Sequence, residues 1–452
     1  MKLIADISVL APAVAFAARY TARAGRSAVP GLAGVRLEAR EDGLLLRAYD
    51  HEAAGSVWLP IGVDEPGEAL VPGEMLAEVL QALPAGHVVL SDQGGQGGQH
   101  SQGSPPSMAD EHSRHGPSGT VQLTGGDERT GAIRFTLPTM PASQQPVPPA
   151  MPAPAGSVSA EAFLRAVRGV SRLAARDDLV PLLTGMLLRL SPAGLTVAAT
   201  DRYRVGVCEL PWLDAPPTEQ DVVVPARALA GTATGLLSTG TLQLGVGSAV
   251  AVPDPADATT STSGTSTSGT SGTSGTSTST ESGPSAVGQT VLGIRCSAPD
   301  QVRSATLRLL DGRFPPLHPR SAATEQDRLG TVTVDAEQLR AAIARVCLIA
   351  DRLAAVVLRV EPGVLAIQAS GSAAAVGHQV LPAELEGEPT TIAYNAIYLR
   401  DGLDLVAGGT VRLSYNQGTR AASLLTSPDH PGYRYLVMPR RLPDSADTVP
   451  AA

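Results

Sequence analysis

The chain has 452 residues, 43% of them apolar, and a formal net charge of −9 at pH 7. Its length predicts about three domains, each large enough to bury a core. The negative charge disfavours a protein that binds nucleic acid over its whole surface, because most of that surface would repel a polyanion.

The cysteines argue against a metal centre. Cys208, Cys296 and Cys347 lack the close spacing of zinc sites and disulfide frameworks. We therefore expect no metal, no cofactor and a reducing, cytoplasmic compartment. Asp6 and Pro12 interrupt the apolar N-terminal run, which disfavours a signal peptide. No run is long and apolar enough to predict a membrane span.

The first predicted domain covers residues 1–138. Its first helix holds Arg19 and Arg23, and Arg26 follows in the next loop. Strands come next, and an amphipathic pattern then predicts a second helix over 74–83.

Two stretches of biased composition follow in this part of the chain. Residues 92–119 are rich in Gln, Gly, Ser and His, cannot bury a core, and predict a disordered insertion within a hairpin. Residues 138–156 are rich in proline, which is typical of a stiff, extended linker.

The second predicted domain covers residues 157–319 and begins with a helix over 160–176. Arginines recur along this helix at spacings of three and four, so they share one face, while apolar residues share the other. The basic face holds Arg165, Arg168, Arg172 and Arg176, and the apolar face holds Leu164, Val167, Val170 and Leu173. A Thr, Ser and Gly tract over 253–285 predicts a second disordered insertion, at the same place in the domain as the first.

A hairpin in the second domain ends in a dense polar cluster. The apolar runs 185–190 and 195–199 flank a Ser-Pro-Ala-Gly turn, which predicts two paired strands. Directly after them come Thr200, Asp201, Arg202, Tyr203 and Arg204. Taken alone, this cluster is compatible with a binding site and with a solvated strand end that holds local salt bridges.

The third predicted domain covers residues 331–442. Its first helix, over 336–350, carries Arg340 and Arg345. Residues 443–452 are typical of a frayed tail.

One sequence pattern recurs in all three predicted domains. Residues 44–60, 195–211 and 365–382 each contain an apolar strand, a polar or small break, a second strand and a closing Leu-Pro. In each case a strand end, an amphipathic helix and a glycine-containing turn follow. The repetition predicts three tandem copies of one α+β unit, each with two helices packed on antiparallel sheets.

The positions of the arginines suggest a function for the three copies. If the equivalent helix is basic in every copy, three copies around an axis would concentrate positive charge on one inner face. A phosphate backbone passing there would be held by charge without sequence readout. The alternative is that these are ordinary solvated helix faces. No motif arranges a Ser-His-Asp or Cys-His set, and no phosphate-binding glycine loop occurs, so we expect a non-catalytic protein.

Four motifs together resemble the bacterial β sliding clamp family, the β subunit of DNA polymerase III. They are ATDRYR at 199–204, DGRFP at 311–315, YNAIYL at 394–399 and MPRRL at 438–442. The resemblance implies three clamp domains and a head-to-tail homodimeric ring with the helices inside. It also implies a cytoplasmic, nucleoid-associated protein that encircles duplex DNA without sequence specificity. Such a protein tethers the replicative polymerase for processive synthesis.

The resemblance also implies three sets of site residues. The segments that line the lumen of the ring in this family correspond to the arginine-bearing segments here. The family's DNA-contacting loop corresponds to the position of Arg26. The DNA-binding set is Arg19, Arg23, Arg26, Arg165, Arg168, Arg172, Arg176, Arg340 and Arg345. A groove for peptide motifs of the polymerase catalytic subunit, the clamp loader and other partners would comprise Leu183, Thr200, Arg202, Tyr203, Arg204, Val205, Pro315, Asn395, Tyr398, Val437, Met438, Pro439 and Arg440. Leu348 and Ile349 would lie at the subunit interface.

The chain departs from the family pattern at a few positions. The segment after Pro315 lacks the usual aromatic and basic residues, Arg440 replaces a small or apolar residue, and the stretch 351–356 is one residue short. These departures leave open an alternative, a clamp-like paralogue that docks peptides without stably encircling DNA.

Overall fold

The computed structural model describes residues 1–22, 29–94, 119–126, 131–177, 179–214, 219–248, 290–317, 328–350, 355–371, 375–406, 408–416 and 421–442. Several predictions lie outside these residues. They concern Arg23 and Arg26, nearly all of the insertion at 92–119, the whole insertion at 253–285 and the tail at 443–452.

The described helices and strands fall into three similar series. The first series is β1 Lys2–Asp6, α1 Ile7–Ala18, β2 Gly34–Arg40, β3 Gly43–Tyr49, β4 Ala53–Leu59, β5 Val63–Glu65, β6 Gly67–Pro72, α2 Gly73–Ala82, β7 His87–Gly94, β8 Gly119–Gly125 and β9 Ile133–Pro138. The second is β10 Gly156–Ser159, α3 Ala160–Val170, β11 Gly185–Ser191, β12 Gly194–Thr200, β13 Arg204–Leu210, β14 Gln220–Pro225, α4 Ala226–Gly235, β15 Thr241–Ser248, β16 Thr290–Ala298 and β17 Gln301–Arg308. The third is β18 Gly330–Asp335, α5 Ala336–Val346, β19 Ala355–Glu361, β20 Val364–Ser370, β21 Val376–Pro382, β22 Glu384–Gly387, β23 Thr390–Asn395, α6 Ala396–Leu405, β24 Thr410–Tyr415, β25 Ser423–Ser427 and β26 His430–Val437.

The first helix of each series begins at the same kind of cap. Asp6, Ser159 and Asp335 have extended backbones, and their side-chain oxygens accept hydrogen bonds from the N–H groups of Ser8, Ala162 and Gln338. Such a cap satisfies one of the donors that a helix start leaves unpaired. The repeated cap, together with the repeated order of elements, confirms the prediction of three α+β copies.

The helices form one continuous row. Within each copy, α1 packs on α2, α3 on α4 and α5 on α6, while α1 also contacts α4 and α3 contacts α6. At the second of these contacts Gly169 lies against Leu405, and a Cβ at Gly169 would come within 1.8 Å of the leucine side chain. The buried faces of the helices merge with the inner faces of the sheets into one extended hydrophobic core.

Two sheets each continue from one copy into the next. An eight-stranded sheet has the order β10-β15-β16-β17-β4-β3-β2-β6, and a nine-stranded sheet has the order β14-β11-β12-β13-β26-β25-β24-β18-β22. We call the pairing of β4 with β17 junction A and the pairing of β13 with β26 junction B. The register places Ser56 opposite Ser304 in junction A and Val207 opposite Arg434 in junction B.

The other two sheets lie at opposite ends of the chain. A five-stranded sheet has the order β5-β1-β7-β8-β9, and a four-stranded sheet has the order β21-β20-β19-β23. Within the described part of the chain, β9 and β21 are therefore edge strands. In the first copy β9 has the place that β17 has in the second copy. In the third copy β21 has the place that β4 has in the first copy. In junction A these equivalent strands, β17 and β4, are paired with each other.

Several predicted helix ends are wrong. The helix predicted over 160–176 is α-helical only to Val170 and ends in a 3₁₀ turn, Ser171–Leu173, because Leu173 packs down onto Gly206 of β13. The helix predicted over 336–350 ends at Val346. In the first copy α1 ends at Ala18 and Arg19 is its C-cap, so α1 itself carries no arginine. The prediction of an arginine-rich first helix in every copy is therefore wrong for the first copy. The domain boundaries stay predictions.

Candidate functional site

The arginines predicted on the helix row are exposed. They comprise Arg19, Arg165, Arg168, Arg172, Arg176, Arg340 and Arg345. On α3 the opposite face is buried as predicted, with Leu164, Val167 and Val170 at most 2% exposed. The helical period of the sequence therefore placed the charged face correctly.

An aspartate joins the arginines of two copies. Asp404 on α6 accepts a hydrogen bond from Nη1 of Arg172 at 2.8 Å and lies 3.8 Å from Nη1 of Arg340. Arg165 pairs with Glu161 on its own helix at 2.6 Å. Because these pairs are exposed, solvent screens them and the arginines keep positive charge available to a ligand.

Positive charge is unevenly distributed along the helix row. Glu74 and Glu78 of α2 are exposed, and α1 carries no charged residue between its caps. In the second copy, Arg227 of α4 adds to the α3 arginines and donates a hydrogen bond to the carbonyl of Arg176 at 3.4 Å. The middle of the row is thus its most basic part among the described residues.

The polar cluster at 200–204 is a hydrogen-bonded turn at junction B. Thr200 Oγ1 accepts from the N–H of Arg202 at 3.1 Å and donates to the carbonyl of Arg204 at 2.7 Å. Asp201 Oδ1 accepts from the N–H groups of Tyr203 and Arg204 at 3.0 and 3.1 Å. Arg202 has a φ of +79°, in the left-handed region, and these bonds hold it there. The turn leaves Tyr203 61% exposed.

Arg204 is buried beneath this turn. Its Nε donates to Asp201 at 2.9 Å, Nη1 to Asp401 at 2.5 Å and Nη2 to the carbonyl of Arg172 at 3.1 Å. Burial opposes the charge, but Tyr435, Asp401 and Asp201 outweigh it and hold the pKa of Arg204 above its ordinary value. With its donors engaged inside the protein, Arg204 fixes the turn and does not present a free guanidinium.

Several other predicted groove residues lie close to Arg204. Tyr203 and Tyr398 stack with ring centroids 6.5 Å apart, and the guanidinium of Arg204 lies 4.3 Å from the Tyr398 centroid. The N–H of Met438 donates to the carbonyl of Tyr203 at 2.9 Å, so the segment after β26 is tied to the turn. Asn395 caps α6, since its Oδ1 accepts from the N–H of Ile397 at 2.9 Å. Of this set, Tyr203, Tyr398, Met438 and Pro439 present side-chain surface to solvent, while Leu183, Thr200 and Val437 are buried.

A second, smaller hydrophobic cluster lies on the outer face of junction B. Its buried members are Leu187, Ala198, Val207, Val223 and Phe314, and Leu182, Val205, Leu310 and Leu317 pack against them. Beside it is a cavity of about 780 Å³, cavity B, whose walls include Leu187, Val207, Phe314, Pro315 and Leu436. Val205 lies opposite Leu436 and so connects cavity B to Tyr203 and Met438. We call this continuous surface the junction B groove.

Ion pairs line the rim of cavity B. Arg189 donates to both carboxylate oxygens of Asp221, at 2.7 and 2.8 Å, and Arg434 pairs with Glu209. An apolar floor with a charged rim is the usual composition of a peptide-binding groove.

Sequence reasoning missed Leu187, Val207, Leu317 and Leu436 as groove residues. One signal was available, because the run Met-Leu-Leu in β11 is apolar at consecutive positions. Such a strand is covered on both faces, whereas a strand with one solvated face alternates. The outward-pointing Leu187 follows from that pattern.

Leu348 and Ile349 lie beside the open edge of the third copy. They follow α5, with 83% and 41% of their surfaces exposed, and the carbonyl of Ile349 is close to Gly371 at the end of β20. Exposed leucine and isoleucine side chains next to an edge strand are typical of an interface.

In the part of the chain that is described, no group of three or more His, Cys, Asp and Glu side chains is arranged to hold a metal ion. Among the same residues, no helix has the length and apolar character needed to cross a membrane. Burial raises the pKa of the Cys208 thiol to about 12, which keeps it in its unreactive protonated form.

Comparison with known proteins gives consistent matches along the chain. Residues 1–102, 157–262 and 325–441 match the family models for the N-terminal, central and C-terminal domains of the DNA polymerase III beta subunit. A Beta sliding clamp from Streptomyces coelicolor is 31% identical over 98% of this chain and 100% of its own length. A Beta sliding clamp homolog, GriR, from Streptomyces muensis is 28% identical over 98% of this chain and 99% of its own length.

A solved structure gives the same result for the fold. The DNA polymerase sliding clamp from Bacillus subtilis superimposes with a TM-score of 0.72 and 17% sequence identity, covering 98% of this chain and 100% of that one.

Proposed function

We infer, since the chain belongs to the DNA polymerase III beta subunit family, the bacterial sliding clamps, that it acts as a DNA sliding clamp. In this proposal two copies close head to tail into a ring around duplex DNA. The ring then tethers the replicative polymerase and other proteins in the cytoplasm, on the nucleoid. The protein contributes no catalysis of its own.

The observation that carries the proposal is the pair of open strand edges. Three isolated bridges, Leu70 to Met140, Val223 to Leu310 and Ala393 to Arg440, mark the same position in the three copies. Following the paired residues from strand to strand, outward from these bridges, identifies the equivalent positions. Ser56, Val207 and His378 form one equivalent set, and Arg134, Ser304 and Arg434 form another. Ser56 pairs with Ser304 and Val207 with Arg434, so the repeat predicts that His378 of β21 pairs with Arg134 of the partner subunit's β9.

The helix row would then line the inside of the ring. The exposed arginines of α3, its 3₁₀ turn and α5 would contact phosphates without reading bases, and Arg19, Arg23 and Arg26 would add contacts from the first copy. We propose that the strongest contribution comes from the second copy, because its helix pair holds Arg165, Arg168 and Arg227 while α2 of the first copy holds two exposed glutamates.

The junction B groove would dock peptide motifs of partner proteins, including the polymerase catalytic subunit and the clamp loader. Its apolar floor suits hydrophobic anchor side chains, and Tyr203 and Tyr398 would close over them. The backbone turn that presents Tyr203 is fixed by Arg204, so the groove is preformed. Little binding free energy is therefore lost in ordering the groove when a peptide binds.

Ring closure is tested by a disulfide across the predicted seam. Opposed residues of antiparallel strands have Cα atoms roughly 4.5–5.5 Å apart, which is within disulfide reach. The double variant His378→Cys, Arg134→Cys should form a covalent dimer on oxidation, and neither single variant should. Burial raises the pKa of all three native thiols, so they should oxidise slowly. A protein that stays monomeric at micromolar concentration would contradict the ring.

Encirclement is tested by retention on DNA. The protein is loaded with its clamp loader and ATP onto nicked circular DNA, and half of the sample is then linearised. A clamp stays on circles and is lost from linear ends. Loss from both, with peptide binding intact, would support the docking-only alternative.

A further inference from the structure

A cavity in junction A occupies the same place as cavity B in junction B. This cavity, cavity A, measures about 320 Å³ and lies between the outer face of the eight-stranded sheet and the linker segment 145–151. Its floor holds Arg36, Arg47, Ser56, Ser304 and Thr306. Arg36, Ser56, Ser304 and Thr306 are the counterparts of Leu187, Val207, Arg434 and Leu436, which line cavity B.

Three buried polar atoms on this floor have no hydrogen-bond partner. They are Nε of Arg47, Oγ1 of Thr306 and Nε of Arg36, which lies 3.6 Å from Oε1 of Glu38, an ion-pair distance too long for a hydrogen bond. The Thr306 residue is only 6% exposed. A buried donor or acceptor without a partner costs free energy that a ligand of the right polarity would recover. Among the described residues two further atoms of this kind, on Gln368 and Asn416, lie elsewhere, but these three line one cavity, which points to a ligand there.

The charges beside cavity A favour an anion. Arg36, Arg40 and Arg47 surround Glu38, which accepts hydrogen bonds from Arg40 and Arg47, while Arg36 also pairs with Glu68 at 2.8 Å. Three cations thus face two carboxylates, and no acidic side chain is among the described residues that line the cavity. On a chain with a net charge of −9, this is a local excess of positive charge.

The opposite wall of cavity A is apolar and stiff. It consists of Val147, Pro148, Pro149, Ala150 and Met151, and Tyr49 stands on the sheet side. Val147 is 48% exposed at the mouth. Prolines hold the wall extended, so its shape is set before any ligand arrives. This apolar wall is longer than the surface that a bare anion would contact. It therefore suits a ligand that has an apolar side chain next to its charged group.

We propose that cavity A is a second peptide-docking site, for an extended segment of a partner protein with an acidic side chain next to an apolar one. The carboxylate accepts hydrogen bonds from Arg36 and Arg47, the apolar side chain packs on Val147 and Met151, and Thr306 bonds a peptide backbone group. The site is independent of the junction B groove, and the free protein has it whether or not a ring encircles DNA.

The test uses a fluorescent peptide, Ala-Leu-Glu-Leu-Ala, blocked at both ends, and its Gln counterpart, in polarisation titrations against the full chain. Loss of a charge-assisted hydrogen bond should weaken binding by about tenfold or more. The Gln peptide on the native protein, and the Glu peptide on Arg47→Gln, should both show that loss. Thr306→Val should weaken binding severalfold without changing charge, which keeps the test valid if Arg47→Gln folds poorly. Met438→Ser, in the junction B groove, should leave the affinity unchanged.

Four results would overturn the proposal. The first is equal affinity for the Glu and Gln peptides, and the second is full affinity in both Arg47→Gln and Thr306→Val. The third is loss of binding in Met438→Ser, which would place the peptide in the junction B groove. The fourth is displacement of the Glu peptide by inorganic phosphate or by a Gln peptide with a free C-terminal carboxylate, at equal or lower concentration. That would mark a general anion site.

Discussion

Junctions A and B have the same backbone and different outer surfaces. Across junction A the register aligns Arg36, Arg47, Ser56 and Ser304, and across junction B it aligns Leu187, Ala198, Val207 and Arg434. Strand pairing depends on backbone groups that every residue supplies, so the outward side chains are free to differ. The repeat therefore fixes where a cavity forms, while the outward side chains set its polarity.

The junctions also differ under the outer surface. Arg204, buried in junction B with two carboxylates, has Ala53 as its counterpart in junction A, where no charge is buried at that point. Junction B therefore depends on an ionic centre that junction A does without.

Removing that centre should give the largest effect. Arg204→Ala leaves Asp201 and Asp401, whose side chains are partly buried, without their partner, which should cost up to about 3–5 kcal/mol. Hydrogen exchange of the β13 and β26 amides should accelerate accordingly, while the β4 and β17 amides should keep their protection.

The matched control is Arg189→Ala, which breaks an exposed bidentate pair at the rim of cavity B and should cost about 1 kcal/mol or less. Similar losses for the two variants would mean that Arg204 is not the centre of junction B.

Exchanging the central side chains of the two junctions should have unequal effects on stability. Val207→Ser removes apolar surface from the buried cluster of junction B and should destabilise it by about 1–3 kcal/mol, with weaker docking in its groove. Ser56→Val, at the equivalent half-buried position of junction A, should be nearly neutral. Urea denaturation and peptide titration measure the two variants side by side, and a larger cost for Ser56→Val would reverse the assignment of the apolar junction.

Acid should weaken the ion pairs of Glu38, which lies on β2 beside cavity A. Burial alone would raise the pKa of Glu38, but hydrogen bonds from Arg47 and Arg40 outweigh it and lower that pKa below the ordinary value. A lowered pKa gives stability that is present above the unfolded-state value, about 4.3, and is lost as the pH falls through the folded-state value. The free energy by which Glu38→Gln destabilises the protein should therefore be largest near pH 7 and shrink below about pH 4. A constant difference across this range would show that Glu38 is not held ionised by the arginines.

The smallest expected effect has the opposite sign. Thr306→Val replaces an unpartnered buried hydroxyl by a methyl group of similar size and should stabilise the free protein by up to about 1 kcal/mol. Thr232→Val is the control, because Thr232 Oγ1 accepts a hydrogen bond from buried Tyr20 and its loss should destabilise. Thermal melts in which both variants lose stability would show that Thr306 has a partner after all.

The sequence predicts the local parts of this structure well and its long-range parts poorly. The hairpin at 185–199, the basic face of α3 and the three-copy repeat all follow from periodicity and turn residues that lie close together in the chain. The pairing of Cys208 with Tyr433, far apart in sequence, has no local signal. Neither does the burial of Arg204, because a charged residue in a polar cluster is normally exposed. Cavity A is not predictable from the sequence either, because it forms where a linker crosses a sheet made by two different copies.

Arg204 also has a mechanical consequence. Its three donors tie the turn that presents Tyr203 to Asp401 of α6 and to the carbonyl of Arg172, and the side chain of Arg172 is in turn bonded to Asp404 of α6. If partners dock in the junction B groove as proposed, force applied at Tyr203 would be carried through a few short bonds into the helix row, rather than taken up by the strand edge alone. The point of attachment on the outside is anchored in the layer that would slide along the DNA.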